Sequence, residues 1–73
     1  MMKQYGNGRG NSQIVSYSTT NNSITIVFRG GGDYTYTYSS AGADHVERMK
    51  ELAQAGFGLE TYIQRNVRNK YAR

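Results

Sequence analysis

The chain contains no cysteine and only one histidine, and this scarcity of reactive side chains restricts its chemistry. Without cysteine it has neither disulfides nor a thiolate metal site, which is compatible with a reducing compartment. The missing cysteine also excludes nucleophilic catalysis by a Cys/His pair, and with one histidine a multi-histidine metal site cannot form within one chain. We therefore expect no metal, no cofactor and no enzymatic activity.

The remaining candidates for acid–base chemistry are Asp44, His45 and Glu47, and a Ser-His-Asp triad would also have to use His45. These residues stand at a predicted helix start, where such side chains commonly cap the helix or interact with its dipole. Adjacent helical positions point about 100° apart, which makes the same three residues a poor metal site. We interpret them as part of the helix start.

Long apolar runs are also missing. No stretch approaches the ~20 apolar residues that cross a bilayer, and the first residues do not resemble a signal peptide. We expect a cytoplasmic protein that does not contact membranes. A length of 73 residues allows one domain, near the size at which a single core is just sufficient. The net charge of +4 and the pI near 9.6 favour an anionic partner.

The first half of the chain has the period-two pattern of β-strands. We predict an α+β fold in which a three-stranded antiparallel meander, near 13–18, 23–29 and 33–39, is packed on one face by two C-terminal helices. The preceding segment, 1–11, is glycine-rich and unpatterned, so we expect a flexible tail before a single domain over 12–73.

A glycine run, Gly30-Gly31-Gly32-Asp33, separates the second and third predicted strands. Glycine-rich loops can cradle phosphate where a strand leads into a helix. This run leads instead into Tyr34-Thr35-Tyr36-Thr37-Tyr38, which alternates strictly. We therefore predict a hairpin turn.

Tyr34, Tyr36 and Tyr38 are expected to point to one face of the third strand. Two interpretations follow. The rings form the half-buried sheet face beneath the helices, with hydroxyls reaching water. Alternatively, at least one ring stacks on a ligand, as aromatic strand residues do in several sheets that bind single-stranded nucleic acid.

The second half of the chain has a helical period. After a small-residue connector, Ser39–Ala43, we predict a helix near 44–54 with Asp44 or Ser40 as N-cap and Gly56 as the left-handed residue that ends it. A second helix is predicted over about 59–70. Phe57 is expected to fill the junction between the two helices. The predicted core consists of Ile24, Ile26, Phe28, Val46, Met49, Leu52, Phe57, Leu59, Ile63 and Val67.

The last predicted helix combines an apolar stripe with an excess of cations. Leu59, Ile63 and Val67 recur every four residues, and no acidic side chain follows Glu60. Because Arg65 and Arg68 are three apart, we expect them to share a face opposite that stripe. The candidate nucleic-acid-binding residues are Arg65, Arg68, Lys70, Tyr71 and Arg73, with Tyr34, Tyr36 and Tyr38 as further stacking candidates. The alternative is that these cations only complement the helix dipole.

The order of these features resembles the KTSC domain family, named for its occurrence at the C-terminus of some lysyl-tRNA synthetases. The similarity covers about 11–73. The matching positions are Ser12, Ile14, Tyr17, Tyr34, Tyr36, Gly58, Tyr62, Asn66, Val67, Arg68 and Tyr71. The chain departs from the family pattern at Ile63, Gln64 and Asn69. The resemblance implies a small α+β fold and RNA binding.

Three classes of function follow. The first is a small RNA-binding module, in which the C-terminal cations contact phosphates and a tyrosine stacks on a base. The second is a protein-interaction or regulatory module, encoded on a mobile element, that binds an acidic partner or forms a homodimer through sheet edges. The third, an enzyme, is the least compatible with the residues present. We expect a monomer or a weak homodimer.

Overall fold

The computed structural model describes residues 3–4 and 13–72. The remainder of the tail predicted over 1–11, and the candidate binding residue Arg73, lie outside the described residues.

An antiparallel sheet forms the first half of the domain, as predicted. Its strands follow one another in the order of the chain and are β1 (Lys3–Gln4), β2 (Ile14–Thr20), β3 (Ser23–Phe28) and β4 (Asp33–Thr37). β2, β3 and β4 are the predicted meander. The two-residue β1 is a correction, because it lies in the segment predicted as a flexible tail and pairs with Ser16 and Tyr17 of β2.

An irregularity in β2 changes which of its side chains face the core. Ile14 pairs with Phe28, but the next pair joins Ser16 to Val27, so β2 contains one extra residue. Such a bulge reverses the alternation along a strand. Ile14 and Tyr17 are therefore both buried although they are three positions apart, and neither is among the predicted core residues.

The glycine run between β3 and β4 is a turn. Gly30 has a φ of 71°, in the left-handed region that glycine enters without a steric penalty. The amide of Gly31 donates to the carbonyl of Phe28, and the amide of Phe28 donates to the carbonyl of Gly32. The loop therefore returns the chain into β4, as the hairpin prediction required.

Three helices follow, α1 (Tyr38–Ala41), α2 (Ala43–Ala55) and α3 (Leu59–Tyr62). The predicted connector is thus partly helical. Thr37 and Ser40 form a capping box in which each side chain accepts from the other residue's amide, so α1 has a strong start signal. The predicted N-caps of the longer helix are wrong, because α2 is preceded by Gly42. Its predicted end is confirmed, with Gly56 left-handed at a φ of 88°.

α3 continues without interruption into a π-helical segment, Ile63–Val67. An α-helix has about 3.6 residues per turn, so each four-residue step rotates an apolar stripe by about 40°. A π-helical turn contains more than four residues, so a four-residue step there rotates the stripe in the opposite direction. Leu59, Ile63 and Val67 consequently lie on one buried side. Because the helix ends at Val67, the predicted end near Lys70 is too late by most of a turn.

The helices cover the sheet face that carries Ile24 and Ile26, and the core lies between them. Phe28 and Leu52 are only partly buried at its border. The prediction for Phe57 is wrong, because its side chain is 69% exposed while Leu59 is fully buried at the helix junction. The buried core is Ile14, Tyr17, Ile24, Ile26, Tyr36, Ala41, Val46, Met49, Ala53, Leu59, Ile63 and Val67.

Candidate nucleic-acid interface

Three of the predicted binding cations, Arg65, Arg68 and Lys70, are exposed to solvent. Within residues 13–72, none of them forms an ion pair with a carboxylate. The two cations of α2 differ in this respect, because Arg48 pairs with Glu51 at 3.0 Å and Lys50 with Glu47 at 2.9 Å. The C-terminal cations therefore contribute most of the uncompensated positive charge in this part of the chain.

The π-helical turn changes the expected arrangement of the two arginines. Arg65 lies inside this turn, and Arg68 follows its last residue with helical dihedral angles. In a wider turn, residues three positions apart are rotated further from each other than α-helical spacing predicts. The backbone therefore separates the directions in which Arg65 and Arg68 leave the helix by more than α-helical spacing predicts.

Asn66 supports the π-helical turn. Its side-chain amide donates a 3.2 Å hydrogen bond to the backbone carbonyl of Tyr62, four residues earlier. In an α-helix that carbonyl accepts from the backbone amide of residue 66. The Asn66 side chain thus provides a donor for the Tyr62 carbonyl, at the point where the backbone hydrogen bonds change from the α-helical to the π-helical pattern.

After the helix, the chain returns to the sheet. The amide of Lys70 donates to the carbonyl of Val67, and the amide of Ala72 donates to the carbonyl of Thr35 at 2.6 Å. Thr35 pairs with Thr25 on its β3 side, and the hydroxyls of these two residues are 2.9 Å apart. The contact with Ala72 therefore uses the opposite edge of β4 and fixes the basic C-terminal segment beside the tyrosine strand.

A row of aromatic rings lies where this segment meets the sheet. The Tyr71 ring contacts Tyr34 at a centroid distance of 4.7 Å and Tyr36 at 6.3 Å, both edge-to-face. Tyr34 contacts Phe28 at 5.5 Å in the same manner. Tyr71 is half-buried in this row. It therefore packs on the tyrosine strand, and it lies beside Lys70 in the sequence.

The three tyrosines predicted on one strand have different environments, and the prediction is wrong for Tyr38, which is the first residue of α1 and not part of β4. Tyr36 is 1% exposed, so it belongs to the core and cannot stack on a base. Burial, followed by the nearby Tyr34 and Tyr71 hydroxyls, raises the pKa of Tyr36 to about 12. Tyr34 and Tyr38 are each 38% exposed. One ring is thus part of the core, as the first interpretation predicted, and the two rings with accessible surface stay candidates for stacking.

Tyr38 is surrounded by a different set of side chains. Its hydroxyl donates a 2.5 Å hydrogen bond to the Glu47 carboxylate, which also accepts from Lys50. This hydrogen bond raises the pKa of the Tyr38 hydroxyl and lowers the pKa of the Glu47 carboxyl. The Lys50 ammonium also donates to the carbonyls of Thr20 and Asn21, which joins α2 to the β2–β3 turn. Tyr38 is therefore part of a structural network that contains a carboxylate.

The residues considered for acid–base chemistry are not assembled into one site. His45 Nδ1 lies 2.6 Å from the Tyr62 hydroxyl and links α2 to α3, while Glu47 contacts Tyr38 and Lys50. In the part of the chain that the structure describes, no group of three or more His, Asp or Glu side chains could hold a metal ion. Among the same residues, no helix has both the length and the apolar composition of a membrane span.

The contact between Tyr34 and Tyr71 is the feature that sequence reasoning missed. Both tyrosines were candidates, but in two separate groups. The residues between them include a turn, three helices and a π-helical segment, and no local pattern reports that such distant positions meet.

No protein-family model, curated protein or solved structure matches this chain. The resemblance to the KTSC family therefore stays a prediction.

Proposed function

We propose that this domain is a small non-enzymatic module that binds RNA as a single strand, with Arg65, Arg68 and Lys70 contacting phosphates. The observation that supports it is the exposure of these cations without a described carboxylate partner. A cation already paired with a carboxylate gains less from a phosphate, because one attraction replaces another. When unpaired cations neutralise phosphates, the counterions condensed on the RNA are released, and this release favours binding.

The arrangement of the C-terminal segment supports the same proposal. A flexible basic tail loses conformational entropy when it binds a strand. Here the hydrogen bond from Ala72 to Thr35 and the packing of Tyr71 against Tyr34 already hold the chain at the edge of β4. Lys70 is therefore presented from an ordered backbone, next to aromatic rings.

The test is the salt dependence of binding to a short unstructured RNA, measured by fluorescence anisotropy. Three phosphate contacts predict that log affinity falls with log salt at a slope of roughly −2, since each contributes about −0.7. Arg68→Ala should make the slope less steep by about 0.7. The matched control is Arg48→Ala, which removes the same charge from an exposed arginine already paired with Glu51.

Two outcomes contradict this assignment. If wild-type protein does not bind the RNA at low salt, the proposed function is wrong. If Arg65→Ala and Arg68→Ala together leave both affinity and slope unchanged, the phosphate contacts lie elsewhere on the domain. Circular dichroism of each variant controls for folding.

A protein-interaction module is the second candidate, and the exposure of Phe57 favours it. An accessible aromatic side chain at a helix junction can anchor a partner. The edge-to-edge homodimer is less well supported, because β1 has only two residues and the outer edge of β4 already bonds Ala72. Concentration-dependent sedimentation that disappears in Phe57→Ser, with RNA binding absent, would favour this second function.

A further inference from the structure

Two of the candidate stacking tyrosines, one in β4 and one at the start of α1, retain accessible surface and provide an internal comparison. Tyr34 and Tyr38 are the same residue type, have the same 38% exposure and lie four positions apart. Exposure alone therefore does not distinguish them as stacking surfaces. What distinguishes them is the charge and the aromatic contacts around each ring.

Negative charge disfavours Tyr38 as a platform for a nucleotide. Its hydroxyl is bonded to the Glu47 carboxylate, and Lys50, which lies 5.9 Å from its ring, is bonded to that carboxylate and to two backbone carbonyls. A nucleotide that stacked there would bring its phosphate towards Glu47. Like charges at such a site oppose binding.

Tyr34 is in contact with aromatic rings instead. Its ring is held between Phe28 and Tyr71, so its orientation is set before any ligand binds. Tyr71 adjoins Lys70, whose exposed ammonium has no described carboxylate partner. Lys70 is thus the cation next to the Tyr34–Tyr71 contact along the chain, whereas Asp33, which precedes Tyr34 in β4, points to the opposite face of the strand.

Tyr36 beneath Tyr71 makes this arrangement rigid. Tyr36 is buried, and Tyr71 contacts both it and Tyr34, so Tyr71 cannot swing away without exposing core surface. Half-burial leaves Tyr71 less surface for a base than Tyr34 has. Tyr71 is thus better suited to orient Tyr34 than to stack on a ligand itself.

From these relations we infer that Tyr34 is the platform for one unpaired base of the strand, that Tyr71 is its positioning residue, and that Lys70 contacts the adjoining phosphate. This inference rests on the proposed function and specifies its ligand. A base can present its face to a ring only when it is unstacked, so the site selects single-stranded RNA over a duplex.

The test compares ring-preserving and ring-removing variants of the full chain on a ten-nucleotide unstructured RNA. Tyr34→Phe should bind like wild type, because it keeps the ring. Tyr34→Leu keeps apolar packing but removes the stacking surface, so its affinity should fall by about five- to a hundredfold. Its salt slope should stay unchanged, since no phosphate contact is removed. The matched control, Tyr38→Leu, should not alter affinity.

A second arm uses oligomers in which each base in turn is replaced by an abasic site. One abasic position should weaken wild-type binding as much as Tyr34→Leu does, and it should cause no further loss in that variant, because both changes remove the same contact. A duplex of the same sequence should bind more weakly than the single strand.

The failures are distinguishable. If Tyr34→Leu binds as tightly as wild type, with the salt slope intact, the base platform is wrong and the phosphate contacts remain. If Tyr38→Leu causes the loss instead, the platform is at the other tyrosine. If wild-type protein binds no RNA, both proposals are wrong. Thermal unfolding of Tyr34→Leu separates a loss of stacking from a loss of folding.

Discussion

The backbone amide of Ala72 lies 2.6 Å from the carbonyl oxygen of Thr35, and this hydrogen bond joins the end of the described chain to the outer edge of β4. An open strand edge offers unpaired amides and carbonyls to other chains. The C-terminal segment covers part of this edge and at the same time brings Tyr71 against Tyr34. One backbone contact therefore serves both the stability of the sheet and the geometry of the candidate interface.

Replacing Ala72 by proline should show the importance of this contact, because proline has no amide hydrogen. We expect the free energy of unfolding to fall by about 0.5–1.5 kcal/mol, the net value of one hydrogen bond. The Tyr71 ring resonances should move towards those of an exposed tyrosine in NMR spectra. Ala72→Ser retains the amide and is the control. Unchanged stability and unchanged Tyr71 resonances in Ala72→Pro would show that the segment is held by other contacts.

One pair of substitutions tests which predicted core residues are buried, namely Ile26, which is buried, and Phe57, which is exposed. Ile26 has no exposed surface, so Ile26→Ala should lower the free energy of unfolding by about 2–5 kcal/mol. Phe57→Ala removes a larger side chain from an exposed position and should change it by less than about 0.5 kcal/mol. Urea unfolding measures both. A large loss in Phe57→Ala would mean that this ring packs against the domain in solution.

The strands and the longest helix were predictable because their residues repeat locally. The period-two pattern of Ser23–Phe28 and the glycine after α2 identify those elements within a few residues. The bulge in β2 was not predictable in this way, since the burial of Ile14 and Tyr17 depends on their pairing with another strand. The exposure of Phe57 was not predictable either, because it depends on Leu59 occupying the junction between α2 and α3.

The candidate interface was predictable only in part, for a similar reason. The exposure of Arg65 and Arg68 follows from the buried stripe of Ile63 and Val67, because both arginines lie off that stripe. The π-helical turn that contains Arg65 has no such local signal. The four-residue repeat of Leu59, Ile63 and Val67 is compatible with that turn. The same repeat is also typical of an ordinary α-helix, and it was interpreted as one. The approach of Tyr71 to Tyr34 is a tertiary contact with no local signal.

The backbone between α2 and α3 depends on a second left-handed glycine. Gly58 has a φ of 85°, and an added Cβ would lie 3.7 Å from Leu52 Cδ2, which is ordinary contact. The cost of Gly58→Ala therefore comes from the backbone and should be about 1–2 kcal/mol. Gly32→Ala is the control, because it has no positive φ and no atom near the added Cβ. Equal melting temperatures for these two variants would contradict the left-handed conformation.

The last prediction concerns alkaline pH and the buried Tyr36. Burial raises its pKa from 10.0 to about 12, so the folded state holds this proton more tightly than the unfolded state does. The resulting stability is fully present below about pH 10 and is lost as the pH rises towards 12. Over this interval Tyr36→Phe, which cannot ionise, should lose less of its free energy of unfolding than wild type, by about 2 kcal/mol. Urea unfolding of both proteins at pH 9 and at pH 11.5 measures this difference. Parallel decreases in both proteins would show that the Tyr36 hydroxyl ionises as readily in the folded domain as in the unfolded chain.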